Sequence, residues 1–125
     1  MHAPRLALHG TTGLILLNTQ ALCFEARWGE QFVGIAGLLE CPDDCPEIYC
    51  TIFKCFRRRN FASDATDMLC RWVFDSLGHP RVRSSANKDN KGPHIFLPKL
   101  GFTVCKVDAA IIHYERLRPP RGARE

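Results

Sequence analysis

Three consecutive arginines, Arg57 to Arg59, stand just before a segment whose pattern predicts a helix that starts near residue 61. A helix start carries partial positive charge, so cations placed there are repelled. The placement becomes favourable when an anionic ligand lies between the guanidinium groups and the unpaired N–H groups of the helix start. The residues therefore predict a phosphate site, and two joined phosphates fit it best. The alternative is a solvated turn that binds nothing.

The segments around these arginines predict a sheet with helices packed on it. Residues 47–56, EIYCTIFKCF, are largely apolar on both alternating faces, which indicates a central strand. Residues 61–77 predict an amphipathic helix that ends at Gly78, because apolar residues recur there at three- and four-residue spacing. The predicted stripe consists of Ala65, Met68, Leu69, Trp72, Val73 and Leu77.

The remaining elements complete an α/β or α+β fold. Strands are predicted at 22–28, 32–40, 82–86, 102–107 and 110–117, with a short helix at 93–99 capped by Gly101. A hairpin turn is predicted at Gly29–Glu30. The order of the elements places a β-α-β unit at the centre, made of strand 47–56, helix 61–77 and strand 82–86.

Length and composition indicate one domain. The 125 residues suffice for a single core, predicted to span 1–118, and the basic tail 119–125 is predicted to be disordered. No apolar run is long enough to cross a membrane, and polar residues interrupt the N-terminal apolar stretch, which disfavours a secretory signal. The seven cysteines are an odd number in a chain of this length, so we expect a reducing, cytoplasmic compartment.

Two other kinds of site are weaker interpretations. The spacing of Cys41, Cys45, Cys50 and Cys55 is not that of a zinc site, so we expect free thiols and no metal. The net charge of +4 also allows a nucleic-acid-binding protein whose affinity falls steeply with salt. The sequence has no aromatic platform or recognition-helix motif, which makes nucleic acid an unlikely partner.

The arginine turn also carries a recognisable motif. Arg57-x-x-Asn60-x-Ala62 resembles the R/Q-x-x-G-x-G/A pyrophosphate loop of the GNAT acyl-CoA N-acyltransferases, with Asn60 where the family has glycine. The resemblance covers residues 32–102 and includes the segment NKDNKGPHIFLPKLGF, in which Asn90 and the final K-L-G-F match the family pattern. The chain most resembles the ribosomal-protein N-acetyltransferase-like branch, in which this strand begins with Glu and an aliphatic residue, here Leu97, replaces a Tyr.

This resemblance implies a mixed, mostly antiparallel sheet with a central β-α-β acyl-CoA-binding unit and a short C-terminal helix. Acetyl-CoA would lie in a splay between strands 47–56 and 82–86. Glu47 matches the position of the general base in the family. Two alternatives stay open: Glu47 is an edge residue without a catalytic role, or the amine loses its proton through water. The implied cofactor-binding residues are Ile52, Phe53, Arg57, Arg58, Arg59, Asn60, Phe61, Ala62, Ser63, Asn90 and Phe96.

The implied activity is N-acetyl transfer from acetyl-CoA to a primary amine, by direct attack on the thioester. The amine could belong to a small molecule or a protein, and no membrane partner is implied. A non-catalytic CoA-binding or regulatory module of the same fold is the alternative. Few residues precede Leu22, where the family usually has a strand and two helices that build the acceptor pocket. We therefore expect these elements to be reduced, or the pocket to be completed by a homodimer.

Overall fold

A computed structural model describes residues 6–10, 21–39 and 45–120, with side chains described from residue 23 onward. The described residues form one seven-stranded sheet and two α-helices. The strands are β1 Leu6–Gly10, β2 Ala21–Trp28, β3 Gln31–Leu39, β4 Glu47–Ile52, β5 Arg81–Asn87, β6 Thr103–Val107 and β7 Ile111–Leu117. The helices are α1 Phe61–Asp75 and α2 Lys91–Lys99, and a short 3-10 turn covers Lys54–Phe56.

The sheet is mixed and mostly antiparallel, which confirms the predicted fold class. Its strand order is β1-β2-β3-β4-β5-β7-β6. Every neighbouring pair is antiparallel except β4 and β5, which run parallel and are joined through α1. The predicted β-α-β unit is therefore the centre of the sheet, because a parallel pair needs a crossover of this kind.

The parallel pair separates soon after it forms. β4 and β5 are partners at only two positions, Glu47 with Arg83 and Ile48 with Ser84. The Ser84 hydroxyl donates to the Ile48 carbonyl at 3.3 Å, which closes the narrow end. Beyond Ile48 the two strands splay apart, and β4 keeps only its partner β3.

The central strand is shorter than predicted. The sequence pattern predicts a strand as far as residue 56, but β4 ends at Ile52. The N–H of Phe53 makes the last bond to β3, at 2.9 Å from the Val33 carbonyl, and the chain then turns, with the Phe56 N–H bonded to the Phe53 carbonyl. Cys55 is therefore in a turn and not in a strand. Apolar side chains alone did not show this stop, because the turn residues are as apolar as the strand.

Helix α1 buries a different stripe from the predicted one. Ala65, Leu69 and Val73 are buried as expected, whereas Met68 is 37% exposed and Leu77 lies beyond the end of the helix and is 41% exposed. Thr66, Cys70 and Phe74 take their places in the core, so the buried face is rotated by one residue toward the C-terminus. The core joins this face to β3, β4, β5 and β7 and to Leu97 of α2, so both helices cover one face of the sheet.

Several turns agree with the sequence. Trp28 pairs with Gln31, and Gly29 has a φ of 63°, as a two-residue hairpin with glycine at its first turn position requires. Gly101, at φ 94°, ends α2 with the N–H of Phe102 bonded to the Leu97 carbonyl, which is a Schellman cap. Strand β1 was not predicted from the sequence.

Some predictions concern residues outside the described ranges. Cys41 and the tail from residue 121 are among them. Neither described helix has the length and apolarity that a membrane crossing demands.

Candidate functional site

A cavity of about 730 Å³ occupies the splay between β4 and β5. One wall is the end of β4 with the turn after it and the start of α1, and the other wall is the start of α2. The residues that line the cavity are Cys50, Thr51, Ile52, Phe56, Arg57, Arg58, Asn60, Phe61, Ala62, Ser63, Asn90, Gly92, Pro93, Ile95 and Phe96. Nine of the eleven residues implied as cofactor-binding are in this set, all except Phe53 and Arg59.

The backbone of β4 offers unpaired groups to the cavity. Phe53 donates its N–H to β3, and alternate residues of a strand bond to the same side. The N–H and C=O groups of Cys50 and Ile52 therefore point away from β3, and the Ile52 C=O accepts a bond from the Arg57 Nε. The two groups of Cys50 and the N–H of Ile52 face the splay, where β5 no longer pairs with β4. These groups can bond an extended, amide-containing ligand.

Phe53 lies elsewhere than the sequence analysis expected. Its N–H is used by Val33, and its ring, 38% exposed, meets Phe32 edge-on with ring centroids 5.0 Å apart. Cys50 takes the expected place of Phe53 on the cavity wall. The difference follows from the register of β4 on β3, which directs the Phe53 N–H to β3 and that of Cys50 to the splay.

The start of α1 forms the polar end of the cavity. Ala62 and Ser63 belong to the first turn of the helix, where N–H groups lack intrahelical partners. Asn60, the N-cap, has φ 62° and ψ 13° and makes no side-chain capping bond. This left-handed conformation is one that asparagine adopts more readily than most residues, so Asn60 can occupy the position of a glycine in the loop.

The three arginines have different surroundings. The Arg57 Nε donates to the Ile52 carbonyl at 3.2 Å, which ties the loop to the end of β4. Arg58, at φ 66°, lines the cavity, and no described carboxylate pairs with either of these two arginines. Arg59 is not part of the cavity, because its guanidinium lies over the Trp28 ring at 4.2 Å and the Phe61 ring at 4.9 Å.

Glu47 lies at the narrow end of the splay and does not line the cavity. Its neighbour Ile48 packs in the core under the helices, so the Glu47 side chain is on the opposite face of the sheet. There the Ser85 hydroxyl donates to Glu47 Oε2 at 3.4 Å. Glu47 and Cys50 are three residue steps apart, which is about 10 Å along β4.

Two ionisable groups near the splay are held neutral. Burial raises the pKa of the Cys50 thiol to about 12. Burial also raises the pKa of the Tyr49 phenol, and its hydrogen bond with Cys23 adds to the shift. Neither group supplies an anionic nucleophile near neutral pH. Among the residues with described structure, no three potential metal ligands come together.

The matching family model describes an acetyltransferase (GNAT) domain and aligns with residues 10–103, three quarters of the chain. The chain belongs to the GNAT acetyltransferase family. The region that the model matches contains β2 to β5, both helices and every residue that lines the cavity. Membership of the ribosomal-protein branch stays a prediction. A comparison with curated proteins found no match.

Solved structures of acetyltransferases share this fold. An acetyltransferase from Agrobacterium tumefaciens str. C58 is 20% identical, with a TM-score of 0.66 over 82% of this chain and 63% of the other. The Campylobacter jejuni N-acetyltransferase PseH in complex with acetyl coenzyme A is 13% identical, with a TM-score of 0.70 over 79% and 69%.

A dodecameric spermidine N-acetyltransferase from Vibrio cholerae is 13% identical, with a TM-score of 0.69 over 78% of this chain and 64% of the other. The chain thus spans less than two thirds of the Agrobacterium and Vibrio proteins. At these identities the likeness shows the fold alone.

Proposed function

We propose that the chain is an N-acetyltransferase that transfers an acetyl group from acetyl-CoA to a primary amine by direct attack on the thioester. The observation that carries this proposal is the splay of β4 and β5, which opens into a cavity that ends at a helix start with two arginines. No carboxylate in the described part of the chain pairs with either arginine. A PseH structure of this fold holds acetyl coenzyme A, which supports the choice of ligand.

The residues of the cavity suit each part of that ligand. A pyrophosphate requires positive charge and hydrogen-bond donors. The guanidinium groups of Arg57 and Arg58 supply the charge, and the backbone N–H groups of Ala62 and Ser63 donate hydrogen bonds. The N–H and C=O of Cys50 and the N–H of Ile52 can bond the amides of the pantetheine arm. Asn90, Phe96 and Ile95 form the opposite wall.

Acetyl-CoA supplies an activated acyl group, and the chain supplies a donor and a base. The N–H of Cys50 faces the splay and can stabilise negative charge that develops on the thioester oxygen. Glu47 takes a proton from the acceptor's ammonium, directly or through water, and the Ser85 hydroxyl holds the Glu47 carboxylate in place. The neutral amine then forms a C–N bond with the acetyl carbon, the thioester C–S bond breaks, and CoA leaves as a thiol with the second proton of the amine nitrogen. The Cys50 thiol stays protonated, because its pKa is about 12, which favours direct attack over an acyl-cysteine route.

A turnover assay with Glu47→Gln tests this function. Release of free CoA thiol from acetyl-CoA is followed with spermidine, a peptide with a free N-terminus and a lysine peptide as acceptors. We expect activity with at least one amine. In Glu47→Gln, kcat should fall by about 100-fold or more, which is the rate acceleration that a general base usually contributes. Glu30→Gln, in the exposed hairpin turn, is the matched control. Full activity in Glu47→Gln would remove Glu47 from the mechanism.

A CoA-binding module without turnover is the second candidate, and the composition of the cavity favours it. None of the described cavity residues carries a carboxylate or an imidazole, so the base would have to act from the far face of the sheet. This candidate predicts that CoA raises the melting temperature of the chain while the whole panel of amines releases no CoA. Thiol release with any amine would contradict it.

Formation of a homodimer and location in the cytoplasm stay predictions. Homodimer formation is checked by light scattering on the purified chain, where a monomer mass at all concentrations would contradict it. Cytoplasmic location is checked by fractionation of the cells that express the chain.

A further inference from the structure

Arg59 has a different environment from its two neighbours. Its guanidinium lies 4.2 Å from the centre of the Trp28 ring and 4.9 Å from that of Phe61. The two rings are themselves in contact, with centroids 5.7 Å apart and planes tilted by 46°. No carboxylate in the described ranges pairs with Arg59, so stacking is its principal contact.

This stack joins two parts of the fold that are distant in sequence. Trp28 ends β2, none of whose described side chains lines the cavity, and Phe61 is the buried first residue of α1. Phe61 also lines the cavity, so one ring contacts Arg59 and helps to form the ligand site. The stack therefore anchors the loop through a ring that is also part of the cavity wall.

The backbone on either side of Arg59 needs such an anchor. Arg58 and Asn60 both have positive φ, 66° and 62°. A residue with a Cβ avoids this conformation, so an isolated Arg-Arg-Asn segment would rarely adopt it twice. Fixing the Arg59 side chain on Trp28 and Phe61 restricts the loop to this arrangement, in which Arg58 and the helix N–H groups face the cavity.

We infer that Arg59 is a positioning residue: through its stack on Trp28 and Phe61 it holds residues 57–63 in the conformation that binds a pyrophosphate, without contacting the ligand. This inference rests on the proposed function of the cavity. It assigns the three arginines two roles, since Arg57 and Arg58 face the ligand and Arg59 holds the loop. It also makes Trp28, outside the cavity, a determinant of affinity.

A double-mutant cycle separates this role from direct contact. The variants are Arg59→Met, Trp28→Leu and the double variant, with Trp28→Phe as a milder substitution if Trp28→Leu is unstable. Arg71→Met, an arginine with a 68% exposed side chain on α1, changes the net charge equally and is the control. Calorimetry gives the affinity of each variant for coenzyme A, and amide hydrogen exchange without ligand reports on residues 57–63.

We expect Arg59→Met and Trp28→Leu each to weaken coenzyme A binding by about 3- to 30-fold, the range of a partly desolvated cation–π contact. The double variant should be no weaker than the weaker single variant, and both single variants should speed exchange of the 57–63 amides. Arg71→Met should change neither quantity.

Additive losses in the double variant would overturn the inference, because they would mean that Arg59 binds the ligand itself. Unchanged exchange of residues 57–63 in Arg59→Met would overturn it too, whatever the affinities. If the unaltered chain binds no coenzyme A, the proposed function fails, and the exchange comparison still decides whether Arg59 and Trp28 hold the loop.

Discussion

Gly34 lies where β3 approaches the end of β4 most closely, and we predict that Gly34→Ala strongly destabilises the fold. A Cβ at this position would lie 2.2 Å from the Thr51 carbonyl oxygen, 2.9 Å from the Ile52 Cα and 3.0 Å from the Ile52 Cδ1. Two of these atoms belong to the backbone of β4, so rotation of a side chain cannot relieve the overlap. β4 must move away from β3 at the position that forms the cavity wall.

The size of the effect follows from that movement. The Thr51 oxygen would have to recede by about 1 Å to reach the shortest separations that carbon and oxygen tolerate. Overpacking of this kind costs about 1–3 kcal/mol. The displacement also weakens about two hydrogen bonds of the β3–β4 ladder, at about 1 kcal/mol each. We therefore expect a loss of about 3–5 kcal/mol, a large part of the stability of a small domain.

Urea unfolding of Gly34→Ala beside Gly92→Ala measures this loss. Nothing lies within 4 Å of a Cβ built at Gly92, near the start of α2, so that variant should be neutral or gain up to about 1 kcal/mol from helix propensity. Gly34→Ala should also bind coenzyme A more weakly, because Ile52, whose carbonyl accepts from Arg57, is displaced. A loss below about 1 kcal/mol in Gly34→Ala would refute the reasoning about this close approach.

Three further predictions concern titration and ion pairing. Burial raises the pKa of the Cys50 thiol from 9.0 to about 12, so between these pH values this thiol ionises only in the unfolded chain. Stability should therefore fall as pH rises through that window. Iodoacetamide at pH 8.5 should label the exposed Cys55 well before Cys50. Rapid labelling of Cys50 would contradict its burial. Asp67→Ala should cost about 1.5–3 kcal/mol in urea unfolding, because the Asp67 carboxylate accepts a 3.0 Å bond from the mostly buried guanidinium of Arg116 on β7. An unchanged unfolding midpoint would count against that ion pair. The hydrogen bond with His113 lowers the pKa of Asp108 below 3.8, so the stability that this bond gives the β6–β7 hairpin is present above pH 3.8 and is lost as pH falls through the lowered pKa. In His113→Ala, NMR titration should show the pKa of the Asp108 carboxyl rising toward 3.8. An unchanged pKa would rule out the bond.

Much of the fold could be predicted because local signals agreed with one another. The change from strand period to helix period after residue 60, and glycines at 29, 78 and 101, located most elements within a few residues. The end of β4 could not be predicted, because Phe53 and Phe56 are as apolar as the strand before them. The buried stripe of α1 shifted by one residue, because the position of the helix on the sheet, and not its own sequence, decides whether Met68 or Cys70 is covered.

Most of the residues that line the cavity could be named from the sequence, because a loop motif keeps its residues adjacent in sequence. Consecutive arginines cannot all point one way, however, and the sequence gives no sign of which one faces Trp28. That contact joins residues 31 positions apart, from Trp28 to Arg59, and depends on the packing of β2 against α1. Cys50 was missed as a cavity residue for a related reason, since the bonding direction of each β4 residue becomes known only when the last pair with β3 is known.

Amide NMR of the labelled chain titrated with coenzyme A tests the central claim most directly, because it maps where the ligand binds. We predict saturable shifts that are largest at residues 58–63 and at Cys50 and Ile52, with little change in the β6–β7 hairpin. Shifts that never saturate, or that concentrate away from the splay between β4 and β5, would contradict it.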